Sequence, residues 1–241
     1  MNNSLTIIFP FYNEENRINK SLDKISKFVK FNISLDLEII FVNDGSNDRT
    51  DKIIHEFLEI NDKKIYKYFK ENKNMGKGYA LKIGVKNAEK DWILTSDIDL
   101  SVPLEQIKLW KDKNKIEADS KVYFGSRNVG DSKVVKKFYR FILGTIFNNL
   151  IKFLFKININ DTQCGFKLYE KEIAKDIFEK LETFGFAHDI ELVIILNAQG
   201  IKIKELPVNW THISGSKLNI FLDTFKMLID ILKIYKNFKN K

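Results

Sequence analysis

Two aspartates, Asp97 and Asp99, stand one residue apart directly after the apolar run Trp92–Thr95. Side chains at positions i and i+2 of an extended chain point to the same side, so both carboxylates can converge on one cation. A divalent cation held by one or two carboxylates keeps coordination positions open for substrate phosphates. The spacing therefore predicts a metal site that receives a phosphorylated ligand, with two solvated loop aspartates as the alternative interpretation.

Two further segments carry residues suited to binding a nucleotide. Asp44 follows the run Leu37–Val42, where an acidic side chain can accept hydrogen bonds from a base or ribose. The alternative is a merely well-capped strand-to-helix turn, in which Ser46, Asn47 or Asp48 caps the helix that follows. Gly76 and Lys77 precede a helical pattern, so the backbone can approach a ligand closely and the lysine can face a phosphate. The chain contains neither a P-loop nor a G-x-G-x-x-G fingerprint, which excludes those two kinds of nucleotide site.

These residues follow short apolar runs that alternate with helical patterns in the first half of the chain. Near-continuous apolar strands between helices indicate a mostly parallel sheet covered by helices on both faces, and ligands bind such sheets beyond the carboxyl ends of the strands. The sequence therefore predicts an α/β fold with its site at that edge of the sheet. The predicted strands are Leu5–Phe11, Leu37–Val42, Ile65–Phe69, Trp92–Thr95 and Val122–Phe124.

The composition fits one large globular domain. The 241 residues are 44% hydrophobic and 13% aromatic, with only 11 glycines and 3 prolines, which excludes collagen-like and disordered classes. The single cysteine, Cys164, excludes an internal disulfide framework and a cysteine-rich zinc site, and we expect it to be a buried thiol in a reducing compartment. The N-terminus has neither a basic region nor a long apolar run, so no signal peptide is expected.

The net charge of +8 predicts attraction to an anionic partner, which a nucleic acid, an anionic membrane or a phosphorylated substrate would satisfy. We do not expect nucleic acid, because the basic residues are interleaved with aliphatic runs and no nucleic-acid motif occurs.

Residues 134–157 and 218–238 are strongly apolar and basic, yet no stretch is long enough to span a bilayer. They suit helices lying in a membrane interface, with core-packed or dimer-forming helices as the alternative. We therefore divide the chain into a main domain, 1–216, which includes the segment 134–157, and a C-terminal basic amphipathic helix, 217–241.

Eight motifs occur in order over residues 7–219: FPFYNEE, VNDGSNDRT, NKNMGKGYALKIG, TSDIDLSVP, GSR, DTQCGFKLYE, FGFAHDIEL and PVNWTHISGSKLN. Together they resemble the family 2 inverting glycosyltransferases, which have a GT-A fold: a Rossmann-like, mostly parallel central sheet with helices on both faces. Within that family they look most like the branch of dolichyl-phosphate β-glucosyltransferases and bacterial polyprenyl-phosphate glycosyltransferases. Many family 2 enzymes share the first four motifs, whereas DTQCGFKL and the segment from NWT to GSKL are much more specific to the lipid-phosphate branch.

The resemblance implies a nucleotide-sugar donor, UDP-glucose, bound together with Mg²⁺ or Mn²⁺. By the same resemblance, Asp97 and Asp99 hold the metal against the diphosphate, and Asp44 contributes to the uridine pocket. One departure is Asn43, where many relatives have a second aspartate; it removes a paired carboxylate but leaves Asp44. The other residues that the resemblance assigns to the uridine pocket are Pro10, Tyr12 and Glu14.

The resemblance also implies an acceptor that ends in a polyprenyl phosphate. A lipid phosphate is already an anion near neutral pH, so its attack on the anomeric carbon needs no strong general base, but positive charge is needed to bring two anions together. Arg127 and Lys217 are the predicted sources of that charge and Arg140 is a weaker one, with a solvated surface cation as the alternative for each. Asp189 matches an acidic residue near the family's acceptor. It would orient the acceptor or act as base for a hydroxyl, and a structural role, capping a helix or pairing with a lysine, stays open beside these.

Three functions fit the sequence. The leading one is transfer of glucose to polyprenyl phosphate by a protein attached peripherally to the cytoplasmic face of a membrane. The second is transfer to a hydroxyl of a glycan, for which Asp189 would be indispensable. The third is a non-catalytic nucleotide-sugar-binding protein, against which the pair Asp97 and Asp99 argues. Besides the donor, the lipid acceptor and the membrane surface, a homo-oligomer and a membrane flippase are candidate partners.

Overall fold

The structure, a computed structural model, describes residues 2–113, 115–117, 119–135, 152, 154–155, 157–213 and 220–239. Within these residues, a central sheet of seven strands has the order β3-β2-β1-β4-β7-β5-β8, and a separate parallel ribbon pairs β6 with β9. The strands are β1 Ser4–Phe11, β2 Asp36–Asn43, β3 Tyr66–Lys70, β4 Trp92–Thr95, β5 Val122–Ser126, β6 Lys133–Val135, β7 Lys167–Glu170, β8 Lys204–Pro207 and β9 Asn209–Thr211. The helices are α1 Ile18–Phe31, α2 Thr50–Glu59, α3 Lys77–Lys86, α4 Gln106–Asp112, α5 Lys171–Glu179, α6 His188–Ala198 and α7 Ile220–Lys239.

Most neighbouring strands of the central sheet are parallel, and β7 is the exception. β1 pairs in parallel with β2 and β4, and β2 pairs in parallel with β3, so their carboxyl ends meet at one edge. β7 runs antiparallel to both β4 and β5, whereas β5 and β8 are again parallel. Because β7 is reversed, the residues that precede it lie at the same edge as the residues that follow β4 and β5.

Helices cover both faces of this sheet. Nearly every residue of β1 and β2 is buried, as expected for strands that pack on both sides. One core lies between the sheet and α1, α2 and α4, and the other lies against α3, α5, α6 and α7 on the opposite face. α1 shows the pattern that places it there, because its residues Ile18, Leu22, Ile25 and Phe28 are buried at helical spacing.

The predicted α/β fold is confirmed. Each of the five predicted strands is present, with its ends within two residues of those expected. The thiol of Cys164 is buried, as expected. In the described part of the chain, we find no helix with both the length and the apolar character needed to cross a bilayer.

The two segments predicted to lie in a membrane interface are described unequally. Most of 134–157 lies outside the described residues, and so does the expected domain boundary after residue 216. The predicted C-terminal helix is present as α7, and its residues Ile231 and Ile234 belong to the same core as residues of α3 and α6. One face of α7 is therefore a core face, which is the alternative that the sequence left open for it.

Candidate active site

The loops that follow β1 and β2 are bonded to each other at the carboxyl edge of the sheet. The backbone N–H of Asn13 donates to Ser46 Oγ at 2.9 Å, and the N–H of Asn47 donates to Asn13 Oδ1 at 2.8 Å. Asn13 has φ 55°, a left-handed conformation in which asparagine is enriched. The N–H of Glu14 donates to Thr50 Oγ1 at 2.8 Å. These bonds fix the FPFYNEE motif against the VNDGSNDRT motif, so residues of both can face one ligand.

The residues predicted for the uridine pocket in the first loop differ in what they contact. Pro10 is buried within β1, and Tyr12 is 37% exposed at the edge of the sheet. Arg17 Nη2 donates to Glu14 Oε1 at 2.6 Å. The carboxylate of Glu14 is therefore engaged within its own loop. Sequence reasoning missed Arg17, although its position three residues after Glu14 at the start of a helix is a spacing at which side chains meet.

Asp44 connects β2 to the loop before α3. Its carboxylate accepts the backbone N–H groups of Met75 at 2.7 Å and Gly76 at 2.9 Å. Burial raises the pKa of Asp44, and these two hydrogen bonds oppose the rise. The start of α2 is bonded by Asp48 instead, whose Oδ1 accepts the N–H of Thr50 at 3.0 Å. Asp48 is one of the residues expected to cap this helix. Asp44 shapes the loop before α3, and its place in a uridine pocket stays a prediction.

Glycines let the loop before α3 pack directly on the loop before α6. Gly76 has φ 105°, and a Cβ there would lie 2.4 Å from the carbonyl oxygen of Phe184. The N–H of Gly78 donates to the same oxygen at 2.8 Å. A Cβ at Gly78 would also lie 2.7 Å from Cβ of His188. The close backbone approach predicted for these glycines is therefore made to protein, and it brings Lys77 next to α6.

Lys77 and Asp97 form an ion pair at the edge of the sheet. Lys77 Nζ donates to Asp97 Oδ1 at 2.5 Å, and the two side chains are 28% and 43% exposed. Desolvation would lower the pKa of Lys77, but the charges of Asp97, Asp189 and Asp99 raise it. Desolvation would raise the pKa of Asp97, but Lys77 lowers it. The ammonium therefore stands where a cation beside Asp97 is electrostatically favoured.

Asp99 lies in a turn, so the extended-chain argument for its convergence with Asp97 is wrong. β4 ends before these residues, and the N–H of Leu100, whose φ is 54°, donates to Asp97 O at 3.0 Å. Asp99 Oδ1 accepts hydrogen bonds from the N–H and the hydroxyl of Ser101, at 2.9 and 2.7 Å. These bonds fix one oxygen of Asp99 within the turn.

Both carboxylates nevertheless act on the same two cations. Asp99 Oδ2 lies 3.6 Å from Arg17 Nη1. Glu14 raises the pKa of Arg17 most, and Asp99 and Asp97 add to the rise, just as both aspartates raise the pKa of Lys77. Acidic side chains that share cations in this way fit a divalent ion, which prefers carboxylate oxygens as ligands. Asp97 and Asp99 therefore stay the predicted metal ligands.

Asp189, in the first turn of α6, forms a buried ion pair with Lys167 of β7. Lys167 Nζ donates to Asp189 Oδ1 at 2.5 Å, and the two residues are 1% and 5% exposed. Desolvation would raise the pKa of Asp189, but His188, Lys167 and Lys77 outweigh it and lower that pKa. His188 Nδ1 lies 2.7 Å from the carbonyl oxygen of Gly185, so Nδ1 carries the proton, and burial lowers the pKa of this imidazole. Of the roles left open for Asp189, pairing with a lysine is the one present here.

Arg127, directly after β5, is bonded to Asp161 of the DTQCG motif. Its Nε and Nη2 donate to the two carboxylate oxygens at 2.7 Å each, and its backbone N–H donates to Oδ2 at 2.9 Å. Desolvation would lower the pKa of Arg127, but Asp161 raises it. The guanidinium carbon also lies 5.8 Å from the ring centre of Trp210. Arg127 is therefore a paired cation, not an isolated one, while Lys217 and Arg140 lie outside the described residues.

The edge of the sheet thus presents Lys77, Arg17 and Arg127, each bonded to a carboxylate among the described residues. Phosphate oxygens accept the same charge-assisted hydrogen bonds as carboxylates, so such cations can exchange one partner for the other. The arrangement suits a ligand that carries a diphosphate or a phosphate.

Two curated proteins similar to this chain have the same name. The dolichyl-phosphate beta-glucosyltransferase of Dictyostelium discoideum is 36% identical over 239 residues, which cover 95% of this chain and 73% of that protein. The human protein of the same name is 31% identical over 244 residues, which cover 95% of this chain and 74% of that protein.

Solved structures share the fold at much lower identity. Glucosyl-3-phosphoglycerate synthase from Mycobacterium tuberculosis, in complex with Mn²⁺, uridine diphosphate and glucosyl-3-phosphoglycerate, has a TM-score of 0.69 and 15% identity and covers 97% of this chain and 80% of its own. Mannosyl-3-phosphoglycerate synthase from Rubrobacter xylanophilus has a TM-score of 0.66 and 14% identity, covering 97% and 73%. At this identity the likeness is one of fold, and it confirms the GT-A fold. Residues 6–178 match the family described as Glycosyl transferase family 2, and with relatives this similar over most of their length, the chain belongs to that family.

Proposed function

We propose that the protein transfers glucose from UDP-glucose to a polyprenyl phosphate, with inversion at the anomeric carbon. Its relatives at 31% and 36% identity are named dolichyl-phosphate beta-glucosyltransferase, and the similarity extends over 95% of this chain. A solved neighbour with a TM-score of 0.67 was crystallised with Mn²⁺ and UDP-glucose, which supports the same donor. The choice of a lipid phosphate over a hydroxyl as acceptor depends on one observation, the state of Asp189.

Asp189 is poorly suited to be a general base. A base that removes a proton from a sugar hydroxyl works best with a pKa near the working pH, and it needs a lone pair that can reach the hydroxyl. Asp189 is 5% exposed, one of its oxygens is bonded to Lys167, and neighbouring positive charge and the imidazole of His188 lower its pKa. A phosphate acceptor is already ionised and needs no base. The geometry of Asp189 therefore favours the lipid phosphate.

On the donor side, we assign the metal to Asp97 and Asp99. When bound, Mg²⁺ or Mn²⁺ would act as a Lewis acid that neutralises the charge developing on the leaving diphosphate. Lys77, at the N-terminus of α3, can exchange its bond to Asp97 for a bond to a phosphate oxygen, with the helix N-terminus favouring the same anion. Gly76 keeps the backbone beside Lys77 free of a side chain. We assign the uridine pocket to the two bonded loops that carry Pro10, Tyr12, Glu14 and Asp44.

On the acceptor side, we assign the lipid phosphate to Arg127. Asp161 takes two of the five N–H donors of the guanidinium, and Trp210 lies against its face. Because these contacts orient the group before a ligand arrives, its other donors need little reorganisation to bind an anion. Lys217 is proposed as a second cation on the sequence alone.

We further propose that the protein attaches peripherally to the cytoplasmic face of a membrane through α7. Outside its core face, α7 exposes Leu228 by 37%, Ile229 by 39% and Leu232 by 64%. Exposed apolar side chains among lysines suit the interface of an anionic membrane. Within residues 226–237 of α7, whose side chains the structure describes, the exposed lysines are Lys226, Lys233 and Lys236. The homo-oligomer and the flippase stay predictions from the sequence.

Vesicle binding tests the membrane assignment. In cosedimentation with vesicles that contain anionic lipid, we expect Leu232→Glu to weaken binding by about fivefold or more, because burying part of a leucine side chain is worth about 1 kcal/mol. Leu109→Glu is the matched control, since Leu109 of α4 is 38% exposed away from α7. Equal binding by the two variants would contradict the assignment.

Formation of a lipid-linked sugar tests the function itself. Purified protein is incubated with undecaprenyl phosphate and labelled UDP-glucose, with Mg²⁺, Mn²⁺ or EDTA, beside other UDP- and GDP-sugars and beside a glycan acceptor. We expect glucosylated undecaprenyl phosphate to form only when metal is present, and we expect none from the Asp97→Asn variant. Transfer to the glycan hydroxyl alone, or no lipid product with every donor, would contradict the proposal.

A further inference from the structure

The loop 160–165, which leads into β7, contacts residues on both sides of the site. Its first half is bonded to β8 and β5. The N–H groups of Asn160 and Asp161 donate to Glu205 Oε2 and Oε1, each at 2.9 Å. Asp161 in turn holds the guanidinium of Arg127 through both carboxylate oxygens. Glu205 therefore fixes the backbone that carries the partner of Arg127.

The second half of the loop lies directly against Asp97. A Cβ at Gly165 would lie 2.5 Å from Asp97 Oδ2, 2.7 Å from Cγ and 2.8 Å from Oδ1, closer than real Cβ atoms come. The hydroxyl of Thr95 donates to Gly165 O at 3.0 Å, and the N–H of Gly125 donates to Phe166 O at 2.8 Å. β4 and β5 thus hold the bare Cα of Gly165 against the carboxylate.

The backbone conformation does not explain why residue 165 is a glycine. Gly165 is not among the glycines with a left-handed φ, so an alanine could adopt its conformation without strain. The space that a Cβ would take is the space that the Asp97 carboxylate fills. The requirement for glycine comes from Asp97.

We infer that Gly165 is a positioning residue for Asp97, and that the loop 160–165 holds this carboxylate at a fixed position relative to Arg127. Any side chain at 165 pushes the Asp97 carboxylate off its position, while Asp161, four residues earlier, keeps the guanidinium where it is. The motif DTQCG, which begins at Asp161 and ends at Gly165, therefore links the position of Asp97 on the donor side to that of Arg127 on the acceptor side. The inference rests on the proposed function, which makes Asp97 a metal ligand.

A double-mutant cycle tests the steric part without metal. In EDTA, we expect Gly165→Ala to lower the midpoint of thermal unfolding by about 4 °C, the effect of a moderate overpacking in a chain of this length. In the Asp97→Ala background, where the carboxylate is gone, the same change should alter the midpoint by less than about 1 °C. An equal loss in both backgrounds would overturn the inference, and a Gly165→Ala chain that folds only in the Asp97→Ala background would support it.

Mn²⁺ binding tests the functional part. With donor and acceptor absent, electron paramagnetic resonance of free Mn²⁺ should show a dissociation constant about tenfold higher for Gly165→Ala than for the wild type. Gly84→Ala is the matched control, because its Cβ would overpack the core at 2.4 Å from Ile8 Cγ2 and 3.3 Å from Val42 Cγ2, without Asp97 among its nearest contacts. It should leave Mn²⁺ affinity unchanged.

The reference variant Asp97→Asn separates the two ways in which this could fail. If Asp97→Asn weakens Mn²⁺ binding and Gly165→Ala does not, the positioning role is wrong and the metal site stands. If Asp97→Asn binds Mn²⁺ like the wild type, the metal assignment in the proposed function is wrong, and the role of Gly165 is overturned with it.

Discussion

Replacing Lys77 with methionine tests whether its ammonium and a divalent ion compete for one carboxylate. Lys77 Nζ is 2.5 Å from Asp97 Oδ1, and Asp97 is a predicted metal ligand. An incoming cation must therefore displace the ammonium before it can use that oxygen. Methionine keeps the length and much of the packing of the side chain and removes its charge. Without donor, we expect Lys77→Met to bind Mn²⁺ more tightly than the wild type.

The size of the gain follows from the exposure of the pair. With the two side chains 28% and 43% exposed, water and salt screen the ion pair, and its net interaction free energy is about 1 kcal/mol. Removing a competitor of that strength corresponds to about a fivefold lower dissociation constant for Mn²⁺. The gain should shrink at high ionic strength, because the Debye length falls to about 3 Å at 1 M salt. With UDP present, we expect Lys77→Met to bind Mn²⁺ more weakly than the wild type, because Lys77 would then bind the diphosphate.

Isothermal titration of Mn²⁺ and of UDP, at low and high salt, measures both effects. Lys86→Met is the matched control, because Lys86 is an exposed lysine in the last turn of the same helix and the same charge is lost. Lys86→Met should change neither affinity by more than about twofold. A lower Mn²⁺ affinity in Lys77→Met without donor would refute the competition and would mean that Lys77 supports the metal site in another way.

Two further predictions concern the other ion pairs of the site. Asp189→Asn leaves the buried ammonium of Lys167 without its carboxylate and should lower the free energy of unfolding by about 3 kcal/mol. The double variant Lys167→Met with Asp189→Leu should recover most of that loss. Urea unfolding measures both, and an Asp189→Asn variant as stable as the wild type would contradict the ion pair. Desolvation would raise the pKa of Asp161 but Arg127 lowers it, so the pair stabilises the fold above about pH 4 and loses this effect as pH falls through the lower native pKa. In Arg127→Met the native pKa of Asp161 should rise, because desolvation then acts without the opposing charge, and the loss of stability on acidification should be smaller than in the wild type. Unfolding measured between pH 3 and 7 with an acid-induced loss as large as that of the wild type would contradict the assignment.

The sequence was sufficient to predict which residues gather at the carboxyl edge of the sheet, because strand ends carry a local signal. Five apolar runs predicted five strands, and polar motifs at their ends predicted the edge at which Asp44, Lys77 and Asp97 lie. Parallel strands that end at one edge bring such motifs together whatever their separation in the chain. The convergence of Asp97 and Asp99 was predicted from a wrong local conformation, since a turn and not a strand carries them.

The contacts that the sequence did not reveal depend on pairs that lie far apart in the chain. Lys167 lies in a central strand, where a lysine interrupts the apolar pattern, and its partner Asp189 comes 22 residues later. The sequence analysis did not predict the antiparallel strand β7, because Lys167 interrupts its apolar pattern. Gly165 gave no signal either, because its requirement arises from a contact with Asp97 across the sheet and not from its own backbone.

The basic side chains of the site are paired with carboxylates. Lys77 lies between Asp97 and Asp189, whose charges both raise its pKa, and Asp189 is also paired with Lys167. Arg127 is likewise paired with Asp161. An anionic donor therefore gains little from Lys77 directly, since the ammonium must give up the Asp97 carboxylate to bind it, whereas Arg127 has N–H donors besides the two that Asp161 takes. With a divalent ion held by Asp97, Lys77 would be released from this carboxylate and its ammonium could bind the diphosphate. Metal and donor should for this reason bind cooperatively, each weakly without the other.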